Sequence, residues 1–207
     1  MTTAVKICGV TRVEDGLAAA RAGVHAVGVV FHPASPRCVD IRLAREIVQR
    51  LPPFVTAVGL FVDPQPDEVS RVVREVGLNL LQFHGDEEPE FCVRFGLPYI
   101  KACRVAAGTD LLQYAALHHR AKGLLLDAFV AGTHGGTGRS FDWGLIPRDL
   151  PLPVVLAGGL TSANVGEAIR AVRPWAVDVS SGVEREKGVK DAAKIAAFMR
   201  GVRDADV

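Results

Sequence analysis

The chain predicts an α/β fold, a single-domain (β/α)8 TIM barrel across residues 1–207. Three observations carry that prediction. Short β-branched runs alternate with stretches of 3.6-residue apolar periodicity from end to end, recurring about every 20 to 30 residues. Several of the strand runs are apolar almost throughout, as in Gly123-Leu124-Leu125-Leu126, the pattern of parallel strands covered on both faces. No linker or low-complexity stretch interrupts the series. At 207 residues the chain is close to the minimum for such a barrel.

Element by element, the strand candidates are Ala4–Cys8, His25–Phe31, Val55–Phe61, Asn79–Phe83, Tyr99–Arg104, Gly123–Asp127, Val154–Ala157 and Ala176–Val179. The helical candidates between them are Val13–Ala22, Leu43–Leu51, Asp67–Val76, a shorter Glu87–Phe95, Asp110–His118, Ser162–Val172 and Asp191–Met199, with one helical turn at Asp142–Ile146. An open doubly wound sheet is the alternative. It lacks support, because no GxGxxG follows the first strand and no Gly-rich Walker loop is present.

Composition narrows the function classes. The chain is 49% hydrophobic and 23% charged with a net charge of +1, so no global field draws it to nucleic acid or a membrane surface. No apolar run approaches the roughly 18 residues of a membrane helix, and the first residues lack the charged-then-apolar order of a secretory signal. Cys8, Cys38, Cys92 and Cys103 form no CxxC pair, which argues against a structural zinc site and for reduced thiols in the cytoplasm. His25, His32, His118, His119 and His134 show no metal-ligand spacing.

A barrel of this type gathers its reactive groups at the carboxyl ends of its strands. Here those ends carry Cys8-Gly9, a loop with Ser35-Pro36-Arg37, Gln82-Phe83-His84-Gly85, Asp127, Gly158-Gly159 and Asp178-Val179-Ser180-Ser181-Gly182. Cys8 is either a small core residue or a reactive thiol. Asp127, behind three leucines, either caps the next loop through backbone N–H groups or acts as an acid in an apolar pocket. The glycine turns after strands seven and eight match the place where barrels bind phosphate. Arg37, read as an exposed loop residue, suits a second anionic group through its planar fork. Gln82 and His84 share parity, which allows both to face the mouth; His84 is either such a residue or a strand-end histidine bonded to a carbonyl. Lys6 points inward one layer below Cys8, where it either pairs with a carboxylate or lowers the thiol pKa, and Lys101 is read as inward too.

These landmarks together resemble the phosphoribosylanthranilate isomerase family of tryptophan biosynthesis. The resemblance runs over essentially the whole chain. It rests on Lys6-Ile7-Cys8-Gly9, Ser35-Pro36-Arg37, Leu81-Gln82-Phe83-His84-Gly85, Asp127, Gly135-Gly136-Thr137-Gly138 with Phe141-Asp142-Trp143, Leu156-Ala157-Gly158-Gly159-Leu160, Asp178-Val179-Ser180-Ser181-Gly182-Val183-Glu184 and Gly188-Val189-Lys190-Asp191. It implies an Amadori rearrangement of N-(5-phospho-β-D-ribosyl)anthranilate without cofactor or metal. Cys8 is then the general base and Asp127 the general acid. Arg37 holds the anthranilate carboxylate, and Gln82 and His84 contact substrate. Gly158, Gly159, Asp178, Ser180, Ser181 and Gly182 form the phosphate site. The expected partner is a small phosphorylated molecule, with no nucleic acid or membrane, and the expected assembly is a monomer or homodimer.

Other readings keep the barrel and change the chemistry. A histidine-pathway sugar isomerase would use an aspartate where Cys8 stands, and a ribulose-phosphate epimerase would use metal ligands. An indole-glycerol-phosphate synthase would lean on lysines such as Lys6 and Lys101. A phosphate-binding barrel without catalysis has no use for both Cys8 and Asp127. A thiol hydrolase needs a histidine against Cys8. The Phe129–Ser140 stretch, rich in glycine and small polar residues, reads as a mobile cover over the site.

Overall fold

A computed structural model describes residues 2–128 and 142–206. The expected cover at 129–140 and the glycine run at 135–138 lie outside the described residues. Eight strands close into a parallel barrel in chain order, β1 to β8. The first half runs β1 (Ala4–Ile7), α1 (Val13–Arg21), β2 (Ala26–Val30), α2 (Ile41–Arg50), β3 (Thr56–Phe61), α3 (Pro66–Val76) and β4 (Leu80–Phe83). The second half begins with α4 (Pro89–Cys92), which continues into a 3₁₀ turn at Val93–Phe95. β5 (Tyr99–Val105), α5 (Leu111–Leu117), β6 (Leu124–Ala128), a 3₁₀ turn at Trp143–Leu145, β7 (Val154–Leu156), α6 (Val165–Val172) and β8 (Ala176–Val179) follow. A 3₁₀ turn at Ser181–Val183 leads into a small antiparallel hairpin, β9 (Glu184–Glu186) and β10 (Val189–Lys190), before α7 (Ala192–Ala205). The hairpin has no counterpart in the sequence expectation.

Local chemistry sets the helix boundaries. Asp40 accepts a hydrogen bond from the Leu43 N–H at 2.7 Å, so α2 begins two residues before its apolar pattern does. Asp110 and Asp191 cap α5 and α7 in the same way. α3 opens on Pro66 and closes on Gly77 at φ 84°, the left-handed conformation that costs glycine nothing. α6 starts later than its apolar pattern because Asn164 ties back the Thr161 N–H and keeps that segment in a turn. α7 runs past Met199 to Ala205, since Gly201 lets the helix lie close against α6: a Cβ there would stand 2.9 Å from a Val165 methyl.

Side-chain alternation divides the barrel into two compartments. Val5, Ile7, Val27, Val29, Phe61, Leu81, Phe83, Leu156, Val177 and Val179 point outward into the shell shared with the helices. Inside, Ile100, Ala102, Leu125, Val155, Ala157 and Ala176 fill one end. Burying each large apolar side chain contributes about 1.5–3 kcal/mol. β1 closes the ring, with Lys6 lying opposite Ala26 of β2 and opposite Asp178 of β8. Lys101 corrects one expectation. It faces the opposite way from its neighbours Ile100 and Ala102, so it lies in the outer shell rather than inside the barrel. There its ammonium donates to the Gly85 carbonyl at 2.6 Å and to Glu87 Oε2 at 2.8 Å, and it is fully buried. Glu87 also accepts from the N–H groups of Asp63 and Gly85, so this buried pair ties the β3 and β4 exits to β5.

Candidate active site

The inward-facing residues at the carboxyl ends of the strands form two polar groups. The first lies on β1 and β8. Lys6 Nζ donates to Asp178 Oδ1 at 2.9 Å, with both side chains buried. Cys8 follows one layer up, 6% exposed, packed against Val30 and Leu60. Gly28 of β2 makes this arrangement possible. A Cβ on Gly28 would stand 3.1 Å from Cys8 Sγ and 3.2 Å from Lys6 Nζ, so thiol and ammonium converge on the space its missing side chain leaves.

Burial pushes the Cys8 thiol pKa up, and Lys6 pulls it down without cancelling the effect. Both parts weighed for Lys6 are present: it pairs with Asp178 and it lowers the thiol pKa, although burial has the larger effect. Burial lowers the Lys6 pKa, but Asp178 and Cys8 more than offset that, so the lysine remains an ammonium.

The second group lies on β4 and β6. Gln82 Nε2 and His84 Nδ1 are 2.9 Å apart, and His84 Nε2 lies 3.4 Å from Asp127 Oδ2, too poorly aligned for a hydrogen bond. Asp127 Oδ1 accepts from the Ala128 N–H at 2.8 Å, as a loop-start aspartate does, while Oδ2 faces the histidine. Oδ1 thus plays the loop-start part weighed for Asp127, and Oδ2 is turned toward the histidine. Gly158 leaves room for it, since a Cβ there would lie 2.9 Å from Asp127 Oδ1. Gln82 Oε1 is buried with no partner among the described residues.

The turns after β7 and β8 touch each other. Gly158 and Gly159 both have positive φ, 84° and 63°, and a Cβ on Gly182 would collide with the Leu160 carbonyl oxygen. Ser180, Ser181 and Gly182 follow β8 directly, beside Gly158 and Gly159 at the end of β7. Asp178 is a correction to the expected phosphate set. Its carboxylate points to Lys6, and a second negative charge would repel a phosphate rather than hold it.

Arg37 is corrected too: it is 9% exposed, not a solvated loop residue. Its Nε and Nη2 donate to the two Glu184 oxygens at 2.7 and 2.8 Å. Lys190 Nζ joins Glu184 at 2.8 Å and also reaches the Ser180 carbonyl and hydroxyl oxygens at 3.2 and 3.3 Å. Burial raises the Glu184 carboxyl pKa, but Arg37 and Lys190 outweigh it and hold the group below its usual range. Glu184 spends two of the five guanidinium N–H bonds and leaves the others for a ligand. Gly9, at φ 71°, lets Arg37 lie across it, because a Cβ there would collide with Arg37 Cδ.

Glu184, Lys190, Gly9 and Gly28 were assigned no role from sequence. The lone glycine in the strand run Ala26-Val27-Gly28-Val29-Val30 was the available signal for Gly28. Among the described residues, no three His, Cys, Asp or Glu side chains gather as metal ligands would.

A closed ring of eight parallel strands, with a thiol, a carboxylate, a guanidinium and two glycine turns at the strand ends, belongs to the class of (β/α)8 barrels, which gather their reactive groups at that end. Comparison with known proteins narrows the class. Residues 5–201 match the family model described as N-(5'phosphoribosyl)anthranilate (PRA) isomerase, and the chain belongs to that family. It is 61% identical to the N-(5'-phosphoribosyl)anthranilate isomerase of Nitrosospira multiformis over 98% of this chain and 97% of that one. It is 60% identical to the enzyme of the same name from Azotobacter vinelandii, over 97% of each chain. Among solved structures, the phosphoribosyl anthranilate isomerase of Thermotoga maritima superposes with a TM-score of 0.88 at 41% identity, covering 98% of this chain and 99% of that one.

Replacing Gly28 by alanine tests the convergence of thiol and ammonium. The added methyl displaces Cys8 and Lys6 by a few tenths of an ångström or more. Turnover of N-(5-phosphoribosyl)anthranilate should fall by about 10- to 100-fold in the steady state, while circular dichroism reports an intact barrel. Unchanged turnover would show that the spacing is not needed.

Proposed function

We propose that this chain converts N-(5-phospho-β-D-ribosyl)anthranilate to 1-(2-carboxyphenylamino)-1-deoxy-D-ribulose 5-phosphate, with Cys8 as general base and Asp127 as general acid. The observation that carries this reading is that both side chains lie inside one barrel at the ends of β1 and β6. Each has its own polar support, Lys6–Asp178 for the thiol and Gln82–His84 for the carboxyl group. A solved relative that is 41% identical, with a TM-score of 0.85, is described in complex with reduced 1-(o-carboxyphenylamino)-1-deoxyribulose 5-phosphate, the reduced form of that product.

The chemistry uses these groups in sequence. The protonated Asp127 gives its proton to the furanose ring oxygen as the C1′–O bond breaks, and the nitrogen lone pair forms a C1′=N iminium. That cation acidifies the C2′–H. The Cys8 thiolate takes the C2′ proton, the C–H electron pair becomes the C1′=C2′ bond, and the iminium electrons return to nitrogen. The enolamine becomes the ketone as the C2′ hydroxyl loses a proton and C1′ gains one. Net transfer of one proton from the Cys8 thiol to the Asp127 carboxylate restores the enzyme. The substrate's own nitrogen is the electron sink.

Arg37 offers its remaining N–H bonds to the anthranilate carboxylate. The backbone of Gly158, Gly159, Ser181 and Gly182 and the Ser180 hydroxyl face the phosphate, with the Lys190 charge behind them. Gln82 and His84 line the mouth beside Asp127. The lysine-based alternative loses its support, since Lys6 is bound to Asp178 and Lys101 faces away from the barrel interior. A thiol nucleophile would need the histidine that stands beside Asp127.

We also infer a monomer or homodimer in the cytoplasm. A relative from Thermotoga maritima, 38% identical with a TM-score of 0.87, is described as monomers generated from a dimeric enzyme. Cys8, Cys38, Cys92 and Cys103 are all free, and among the described residues no helix is long and apolar enough to cross a membrane. Sedimentation equilibrium giving a larger assembly would contradict the first part, and recovery of the enzyme from an exported fraction the second. For the chemistry, a coupled assay on Cys8→Ser and Asp127→Asn should show losses of at least about 10²-fold each. Near-normal turnover in either variant removes that residue from the mechanism.

A further inference from the structure

Within the acid–base reading above, one buried group beside the thiol has no part in the proton transfers. Lys6 is 4% exposed, and its ammonium is held on two sides, by Asp178 Oδ1 at 2.9 Å and by the space over Gly28 that it shares with Cys8 Sγ. An ion pair meant only for stability has no need of that place. Two charges withdrawn from water barely repay their desolvation, and apolar side chains would fill the same volume at no loss. The pair instead stands one layer under the base and between two strands that close the barrel.

We propose that Lys6 is a positioning residue for the base: its ammonium, oriented by Asp178, supplies the positive charge that stabilises the Cys8 thiolate, and Gly28 keeps the two atoms adjacent. Lys6 gains and loses no proton in the cycle. It offsets the charge that appears when the thiol ionises, and that charge disappears again when the C2′ proton arrives. Asp178 divides the ammonium's field between itself and the sulfur. It fixes the lysine's geometry and, being an anion, opposes the thiolate.

The charged groups that face Cys8 are Lys6 on its own strand, Asp178 from β8, Lys190 from β10 and Arg37 from the loop after β2, while β2 presents the uncharged Gly28. Lys190 and Arg37 share one carboxylate, Glu184, and their hydrogen bonds turn them toward it. Lys6 is the cation whose ammonium converges with the sulfur on the space over Gly28.

The arrangement has a signature that a purely structural ion pair lacks. The variants Lys6→Met and Asp178→Asn break the same bond, yet they should move the thiol in opposite directions. The experiment is the pH dependence of iodoacetamide alkylation of Cys8, followed by mass spectrometry of the Cys8 peptide. It is run on the substrate-free protein in a Cys38→Ser background that removes the exposed thiol.

Relative to that background, Lys6→Met should shift the alkylation midpoint up by about one pH unit or more, and Asp178→Asn should shift it down. Lys6→Arg, which keeps the charge, should restore most of the Lys6→Met change. The acid limb of kcat/KM should move with the alkylation midpoint while KM changes by less than about threefold. If Lys6→Met does not fold, the downward shift in Asp178→Asn still decides. An unmoved or upward-shifted midpoint in Asp178→Asn overturns the proposal, as does a Lys6→Met protein that loses stability but keeps the parent midpoint. Because alkylation needs no substrate, failure of the isomerase reading would appear separately, as absent turnover in a parent whose Cys8 titrates as proposed.

Discussion

The alternation of side chains along a strand, imposed on a ring with no free edge, is the constraint on which the rest of this structure depends. A parallel strand in a closed barrel has one face toward the helices and one toward the axis, and a shift of one residue would exchange them. β1 shows what is at stake. Val5 and Ile7 lie in the outer shell with the helices, and Lys6 and Cys8 point to the axis. The same parity turns Gln82 and His84 inward on β4 and Asp178 inward on β8. No polar residue could be moved by one place without entering a packed apolar layer, so the register that builds the core also aims the site.

Glycine supplies the second ingredient, room. The thiol and ammonium need Gly28, Asp127 needs Gly158, Arg37 needs Gly9, and the contact between the last two turns needs Gly182. In each case a Cβ would stand within 3.2 Å of a functional side chain or of the backbone, closer than packing comfortably allows. Most of the buried charge is paired. Lys6 is paired with Asp178, Lys101 with Glu87, and Glu184 with both Arg37 and Lys190, so each of these charges meets its opposite at hydrogen-bond distance, whereas the buried Asp127 is held by the Ala128 N–H. The outer pair fastens loops, and the inner two surround the thiol and the turn after β8.

Much of this was legible in the chain itself. The alternation of strand and helix and the polar residues at strand ends are local patterns, and they placed Cys8, Gln82, His84, Asp127 and the glycine turns correctly in the barrel. What escaped were contacts between residues far apart in sequence. Arg37 looked exposed because Glu184, its partner, lies 147 residues away and on a hairpin too short to show periodicity. Asp178 was grouped with Ser180 because it opens the run Asp178-Val179-Ser180-Ser181-Gly182 at the end of β8, whereas its partner Lys6 lies 172 residues back. Lys101 was misplaced for a different reason: Tyr99-Ile100-Lys101-Ala102-Cys103 is buried on both faces, so no polar alternation marks which side is inside.

The central claim is that Cys8 and Asp127 address one sugar whose phosphate is held by the turns after β7 and β8. A crystal structure of this protein with reduced 1-(o-carboxyphenylamino)-1-deoxyribulose 5-phosphate tests it most directly. The account predicts the phosphate within hydrogen-bond distance of the backbone N–H groups among Gly158, Gly159, Ser181 and Gly182. It places the carboxylate on Arg37, and the sugar carbons between the Cys8 sulfur and the Asp127 carboxyl group. A phosphate bound elsewhere, or a sugar out of reach of either Cys8 or Asp127, would contradict it.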